Sequence, residues 1–204
     1  MNDGTWTVKE VERIVIRDFV EEWHYSGSIN GVLSTYCFAL YHNEELVGAM
    51  IFGKVGMAGA WKKYAENEKD ILELRRLCCI DDTPKNTESF FIGKCLKWLR
   101  DNTLVKTIIS YADANHGHSG IIYQATNFKH KGMTAKGRVI MLGDRQYHDK
   151  TIRTMYKGRL KPFAKRVKDA LENGDAYYKT TIPKHIYLFD IKRKGYKRDK
   201  IKSL

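Results

Sequence analysis

Apolar residues recur at three- and four-residue spacing over residues 8–23, which predicts an amphipathic helix. A Thr-x-x-Glu capping box that starts at Thr7 marks the beginning of this helix. Two shorter apolar stretches, residues 34–42 and 46–55, have the length of strands and flank a polar turn at residues 43–45. The pattern therefore predicts that the chain opens with a helix followed by a β-hairpin.

The remaining pattern alternates strands with helices, without an internal repeat or a low-complexity segment. This order predicts an α/β fold in which a central mixed sheet is flanked by helices. The predicted elements are strands at 71–80 and 105–111, helices at 88–101 and 119–127, a strand pair around 129–142, a basic helix at 159–172 and a last strand at 184–190.

The 204 residues suffice for one packed domain and are few for two. We therefore predict a single domain over residues 1–190, in which residues 129–190 form a basic C-terminal part, followed by a basic tail over residues 191–204. No apolar run approaches the ~20 residues that a membrane span requires, and the start of the chain is polar and acidic. These features predict a cytoplasmic protein.

The four cysteines lie in apolar patterns without the CxxC spacing of zinc sites. Such positions are typical of buried cysteines that behave as small apolar side chains. We therefore expect free thiols rather than a zinc site or disulfides at Cys37, Cys78, Cys79 and Cys95.

Positive charge is concentrated in the last third of the chain. Residues 1–128 carry 14 Lys and Arg against 17 Asp and Glu, a net charge of −3, whereas residues 129–204 carry 22 against 7, a net charge of +15. Such one-sided enrichment indicates a polyanionic partner. Residues 192–202 lack the apolar face of a helix that lies on a membrane, so nucleic acid is favoured over a membrane surface.

The order of elements resembles that of acetyltransferases of the GNAT class. In that class the loop and helix after the central strand bind the pyrophosphate of acyl-CoA, because free N–H groups at a helix N-terminus suit phosphate. The corresponding segment here is Lys85-Asn86-Thr87-Glu88-Ser89. The glycine-rich loop of the class is missing, and a capped structural helix would have the same sequence, so spacing alone leaves both interpretations open.

Five polar clusters, spread over about half of the chain, occur together in one order and resemble the Mom family of phage DNA-modification proteins. The clusters are His24-Tyr25-Ser26, Glu73-Leu74-Arg75-Arg76-Leu77, Asn86-Thr87-Glu88-Ser89-Phe90, Ser110-Tyr111-Ala112-Asp113, and the stretch from Gly117 to Asn127.

The resemblance implies a GNAT-like fold and an enzyme that converts the N6 amino group of adenine in DNA to a methylcarbamoyl-type group, protecting phage DNA from restriction. It also implies an acyl-CoA cofactor such as acetyl-CoA, and iron is associated with the family. Carried over by motif, Arg76 and Ser89 hold the acyl-CoA beside Lys85, Asn86 and Thr87. The residues implied for the reactive centre, and for iron if a metal is used, are His24, Tyr25, Asp113 and Tyr123.

Each residue of this reactive centre also has a purely structural interpretation. The two tyrosines could pack in the core, and His24 and Asp113 could cap helices. Their joint placement at ends of elements favours a site, because α/β sheets gather their sites there. An imidazole, phenols and a carboxylate suit iron, and they equally suit acid–base catalysis without a metal. His116 and His118 are further ligand candidates, although histidines in a glycine loop are more often exposed to solvent.

The chemistry of adenine defines what such a centre must do. The exocyclic amine is a poor nucleophile, so a base must remove a proton, and Asp113 or a tyrosinate is the candidate. The amine is paired within duplex DNA, so the base must be flipped out, and Trp23, Tyr25 or Tyr111 could stack on it.

Two other classes of function remain open: a conventional GNAT N-acetyltransferase acting on an amine of a modified base, RNA or a protein, and a non-catalytic DNA-binding protein. A homodimer is one of the oligomeric states that the sequence leaves open.

Overall fold

The computed structural model describes residues 4–56, 59–114 and 117–193. The chain groups into two compact units. The first contains the described residues up to Tyr111, Gly120–Lys131 and those from Ile186 onward; the second contains the described residues of Ala112–Ser119 and Gly132–His185. The single domain predicted over residues 1–190 stays a prediction. Of the predicted tail, residues 194–204 lie outside the described residues.

The first unit is built, apart from a few end residues, on a seven-stranded sheet in the order β1-β2-β3-β4-β5-β10-β6. Its first four strands pair antiparallel, and β4 and β5 pair in parallel. The strands are β1 (Trp6–Val11), β2 (Tyr36–His42), β3 (Glu45–Gly53), β4 (Ile71–Cys79), β5 (Thr107–Ala112), β6 (Lys129–Met133) and β10 (His185–Asp190), and the helices are α1 (Arg13–Trp23), α2 (Thr87–Asn102) and α3 (Ile121–Ala125).

Helices cover both faces of this sheet because successive side chains of a strand point to opposite faces. On one face, Ile16 and Val20 of α1 pack against alternate apolar residues of β2 and β3, such as Ala39 and Ile51. On the other face, Phe38 of β2 meets Trp98 of α2 edge to ring, with ring centroids 5.2 Å apart. The strand residues between the helices are accordingly apolar on both sides.

The second unit contains a three-stranded sheet in the order β8-β7-β9 and one helix. Ile140, Val167 and Ala176 form its small core. Its elements are β7 (Arg138–Leu142), β8 (Arg145–His148), α4 (Pro162–Asn173) and β9 (Ala176–Thr180). The charge pattern predicted a basic helix at 159–172, and α4 confirms it.

None of the helices among the described residues is long and apolar enough to cross a membrane.

The first predicted helix is wrong in its N-terminal half. Residues 6–11 form β1, and the helix begins only at Arg13, so the capping box at Thr7 does not exist. Val8 and Val11 fit a helical period and a strand equally well, but antiparallel pairing with β2 along the whole of β1 decides for the strand. The hairpin is confirmed, with Asn43 and Glu44 in the left-handed conformation at its turn.

The predicted strand pair around residues 129–142 is also wrong. Two strands are present, but β6 lies at an edge of the seven-stranded sheet, whereas β7 is the centre of the second sheet. The apolar run of β7 suits a central strand, and the polar sequence of β6 suits an edge. β8 and β9 were not predicted, because their exposed polar and aromatic residues show no clear alternation.

The cysteine prediction is confirmed. All four thiols are free, and Cys37, Cys78 and Cys95 are buried, whereas Cys79 is half-buried. Burial raises the pKa of Cys78 to about 12, so this thiol stays protonated near neutral pH. These residues act as small apolar side chains in the core rather than as nucleophiles.

Substitution of Gly120, the N-cap residue of α3, tests how closely this helix packs against Tyr187. This residue has a φ of +82°, and a Cβ atom there would lie 2.2 Å from the buried ring of Tyr187. We expect Gly120→Ala to lower the free energy of unfolding by about 2–4 kcal/mol, measured by urea denaturation. Gly93→Ala is the control, because its Cβ would meet nothing and a helical alanine should stabilise by about 0.5–1 kcal/mol. Equal stabilities of the two variants would contradict this account.

Candidate active site

The two central strands of the first unit separate in the middle of the sheet. β4 and β5 pair in parallel only from Ile71 with Thr107 to Leu74 with Ser110, although β4 continues to Cys79. Beyond Leu74 the backbone of β4 has no ladder partner on that side among the described residues. A gap of this kind exposes backbone hydrogen-bonding groups in the sheet centre, where a ligand can use them.

A β-bulge at Arg75 lies at the start of this gap. Ile51 of β3 faces Arg76 and the next residue, Phe52, faces Leu74, so Arg75 is the extra residue. The Arg75 guanidinium lies 3.2 Å from the Glu73 carboxylate, and both side chains are mostly buried. The same carboxylate oxygen accepts a hydrogen bond of 2.8 Å from the Gly56 N–H. The ion pair thus fixes two charged groups at the mouth of the gap.

Arg76 places a second cation beside the gap. Its guanidinium donates to the Arg75 carbonyl at 2.8 Å, whereas its Nε is buried without a hydrogen-bond partner among the described residues. Burial lowers the pKa of Arg76, and the nearby Tyr25 phenol opposes this shift. The guanidinium is charged at neutral pH even so, because an arginine pKa starts above 12. A half-buried cation with an unused donor suits an anionic ligand.

His24 and Tyr25 follow the end of α1, as predicted. His24 is the C-cap residue, and its ring lies against the Tyr25 ring with centroids 4.2 Å apart. The Ser26 N–H donates to His24 Nδ1 at 3.1 Å, so a neutral imidazole carries its proton on Nε2. His24 is buried, whereas 53% of Tyr25 is exposed. The exposed phenol is therefore the member of the pair that solvent and substrate can reach.

Tyr123 is the second phenol that the structure brings into this region. It lies in α3, is buried, and its ring contacts those of Phe128 and Tyr187. Burial raises the pKa of Tyr123, the Ser110 hydroxyl lowers it by hydrogen bonding, and the nearby Tyr25 raises it further. Tyr25 therefore interacts electrostatically with both Arg76 and Tyr123 within the first unit.

Asp113 directly follows β5 and belongs to the second unit. Its carboxylate forms an ion pair of 2.6 Å with the Lys184 ammonium, and the carboxylate is the more buried partner. The N-cap residue of α3 is Gly120, seven residues further along the chain. The convergence of Asp113 with His24, Tyr25 and Tyr123 stays a prediction.

The predicted phosphate site lies at the beginning of α2, but its cap differs from expectation. Asn86 is the N-cap residue with a φ of +73°, and its side chain makes no capping hydrogen bond with the described residues. The Thr87 hydroxyl donates to the Pro84 carbonyl at 2.7 Å. Asn86 thus adopts the left-handed backbone that a glycine-rich loop would otherwise supply. The first-turn N–H groups of Glu88 and Ser89 have no partner within the helix.

The described residues do not provide a set of ligands that fits the predicted iron site. Within residues 4–56, 59–114 and 117–193, no group of three or more His, Cys, Asp or Glu side chains could hold a metal ion. Of the four predicted ligands, Tyr123 keeps its proton because of burial, and a neutral phenol is a weak ligand. His118 is exposed, and His116 lies outside the described residues. We therefore derive no step through iron.

Comparison with known proteins identifies the family. The model of the Mom protein family matches residues 5–203, nearly the whole chain. The chain belongs to the Mom family. It is 26% identical over 155 residues to the methylcarbamoylase Mom of Escherichia phage Mu, an alignment that covers 74% of this chain and 63% of that protein. The aligned part thus spans less than two thirds of the relative's length.

Solved structures with the same fold are N-acetyltransferases. One from Staphylococcus aureus Mu50 has a TM-score of 0.51 at 13% identity and covers 92% of this chain and 99% of its own. The ribosomal-protein-S18-alanine N-acetyltransferase of Escherichia coli has a TM-score of 0.52 at 11% identity and covers 95% and 98%. At such identities the likeness concerns the fold alone, and it confirms the predicted GNAT-like fold of this Mom family chain.

Three polar residues of this site lie in the clusters that resemble the Mom family but were not predicted as site residues: Glu73, Arg75 and Ser110. All lie inside otherwise apolar strands, where a polar side chain needs a partner and is costly without one. That signal was available in the sequence. The bulge at Arg75 was not, because it depends on the register of β4 against β3. Of the predicted stacking residues, Tyr111 packs against a core cluster, whereas Trp23 and Tyr25 are exposed.

The protonation of Tyr123 can be tested by alkaline titration. Burial keeps this phenol protonated where an ordinary tyrosine, with a pKa of 10.0, ionises. We expect Tyr123→Phe and the wild type to give the same phenolate absorbance through that range. Because the folded-state pKa lies above the unfolded value, the associated stability is present below pH 10 and is lost as the pH rises. Loss of one tyrosine's signal near pH 10 in the variant would show that Tyr123 ionises normally.

Proposed function

We propose that this Mom family chain is a transferase that modifies DNA by converting the N6 amino group of adenine to a methylcarbamoyl-type group. The observation that carries the proposal is the gap between β4 and β5, beside which Arg76 has a buried Nε without a partner among the described residues. Family membership and the methylcarbamoylase name of the phage Mu relative support this reaction. Such a modification would protect phage DNA from restriction enzymes of the host.

Acyl-CoA is the donor that fits the residues at the gap. Arg76 contributes a half-buried cation whose buried Nε donor is unused, and the Glu88 and Ser89 N–H groups lie at the positive end of α2. Lys85 lies in the exposed loop just before this helix. When bound, acyl-CoA would supply an acyl group activated as a thioester, with the thiol of coenzyme A as the leaving group. An acyl group such as acetyl contains no nitrogen, so the nitrogen of a methylcarbamoyl-type group would have to come from a separate amine or ammonia donor. The residues of the chain would hold the phosphates of acyl-CoA and orient it.

Tyr123 has the properties of a proton donor. Its burial favours the neutral phenol, and the Ser110 hydroxyl orients it by hydrogen bonding. A positioned phenol can give its proton to an atom that gains negative charge in the transition state. This role replaces the tyrosinate base for Tyr123, because burial disfavours the deprotonated form.

Asp113 and Tyr25 remain the candidates for the base. The amine of adenine loses a proton during attack, and a carboxylate or a phenolate can accept it. Lys184 fixes one oxygen of Asp113 at 2.6 Å. The half-exposed Tyr25 ring has a second use, because it could stack on a base that has been flipped out of the duplex.

Mass spectrometry of DNA nucleosides tests the reaction directly. DNA from cells that express the wild type should contain an adduct on adenine with the mass of a methylcarbamoyl-type group. We expect Tyr25→Phe, Tyr123→Phe and Asp113→Ala each to lower its amount by ~100-fold or more, the range typical of acid–base groups. Tyr41→Phe, which removes a phenol from β2 outside the site, should leave it unchanged.

The outcome separates the competing functions. An acetyl adduct would indicate a conventional acetyltransferase acting on DNA, and unmodified DNA would contradict the proposed reaction. Full activity of Asp113→Ala would remove Asp113 from the reactive centre.

Calorimetry with coenzyme A tests the donor site. Arg76→Ala removes a charge-assisted phosphate contact worth about 1.5–3 kcal/mol, so the affinity should fall by roughly 10- to 150-fold. Arg100→Ala is the control, because this arginine is exposed on α2 and pairs with Asp101 at 2.8 Å. Arg76→Lys keeps the charge and should lie between the wild type and Arg76→Ala. Unchanged affinity of folded Arg76→Ala would exclude Arg76 from the donor site.

A further inference from the structure

The second unit carries an exposed basic and aromatic surface that the proposed reaction does not use. It consists of the turn Tyr156-Lys157-Gly158-Arg159 and the beginning of α4, with Lys161, Phe163, Lys165 and Arg166, and is called the Tyr156 surface below. All of these residues are exposed. An exposed surface that combines aromatic rings with cations is typical of a binding site for another molecule.

The charge of this surface is not neutralised within the second unit. Residues 132–185 carry 13 Lys and Arg against 5 Asp and Glu. Among the described residues, ion pairs engage Lys165 with Asp169 but none of the other cations of the Tyr156 surface. The cations of the Tyr156 surface without an ion pair to the described residues are Lys157, Arg159, Lys161 and Arg166.

The distribution of charge along α4 runs against its own dipole. The N-cap is Lys161 and the first turn holds no acidic residue, whereas Asp169 and Glu172 lie in the second half. Helices are stabilised by the opposite arrangement, with anions near the N-terminus. Cations gathered at the positive end therefore cost stability in the free protein. An anionic partner would offset that cost.

The turn holds an aromatic ring among the cations. Tyr156 and Arg159 exchange two backbone hydrogen bonds of 2.7 and 3.2 Å, and Lys157 and Gly158 between them have positive φ. The Tyr156 ring is 57% exposed. The ammonium groups of Lys157 and Lys161 lie 5.8 and 5.3 Å from its centre. A rigid turn thus presents one ring beside two ammonium groups.

We propose that the Tyr156 surface is where this protein docks on its DNA substrate, a step that rests on the proposed function. Lys157 and Lys161 contact backbone phosphates of duplex DNA, and the Tyr156 ring packs on the sugar or base beside them. Phosphate neutralisation explains the cations, and packing on the nucleotide explains the exposed ring, which a purely ionic contact would not need.

The test measures binding of the full-length chain to duplex DNA by fluorescence anisotropy at several salt concentrations. Lys157→Gln/Lys161→Gln should flatten the dependence of log affinity on log salt by about 1.8, since each phosphate contact contributes ~0.9. The matched control is Lys9→Gln/Lys94→Gln. These lysines are also exposed and also lie over aromatic rings, Tyr41 and Phe90, but in the first unit.

A companion pair of variants tests the ring. Tyr156→Ala should weaken DNA binding without changing the salt slope, and Tyr156→Phe should bind as the wild type does. An unchanged slope in Lys157→Gln/Lys161→Gln, or an equal change in the control, would overturn the proposal.

Failure of this inference is distinguishable from failure of the proposed function. If the surface variants bind DNA normally but adenine is modified in cells that express the wild type, only the docking surface is wrong. If the wild type leaves DNA unmodified, the proposed reaction is wrong whatever the binding data show.

Discussion

The candidate active site depends on the loss of pairing between β4 and β5 beyond Leu74 and Ser110. A continuous parallel sheet would bury this region between helices and leave no space for a ligand. Separation of the two strands opens the sheet centre while β3 and β4 stay paired beyond it as far as Gly48 and Cys79. The backbone groups freed in this way need partners. The Arg76 guanidinium already satisfies the Arg75 carbonyl. A ligand inserted between the strands can pair with backbone groups that remain open.

Charged and polar side chains lie at this opening, where a ligand can contact them. A buried ion pair such as Glu73 with Arg75 contributes little net stability, because desolvation offsets the attraction. Arg76 adds a half-buried cation with an unused donor, and Tyr123 adds a buried phenol. Such groups are costly for folding, so their concentration at one place points to binding and proton transfer.

Much of this organisation could be predicted from the sequence, for physical reasons that differ between elements. The hairpin and α2 follow from strong local periodicity, and the polar clusters that resemble the Mom family contain His24, Tyr25, Arg76 and Tyr123. β1 could not be predicted reliably, because its apolar spacing fits both periods and only pairing with β2 decides. The bulge at Arg75 also depends on register between strands.

The charged groups of the two units differ in how far they are buried. In the first unit, the site groups are embedded in apolar elements, where low polarity shifts their protonation and strengthens each contact with a ligand. In the second unit, the cations of α4 lie in water, where they avoid the cost of desolvation but are screened by salt. A partly buried site suits selective chemistry on one base, and an exposed basic surface suits binding to any sequence. Modification of DNA requires a selective site and a surface that binds DNA. Apolar surroundings suit the selective site, and exposure to water suits the binding surface.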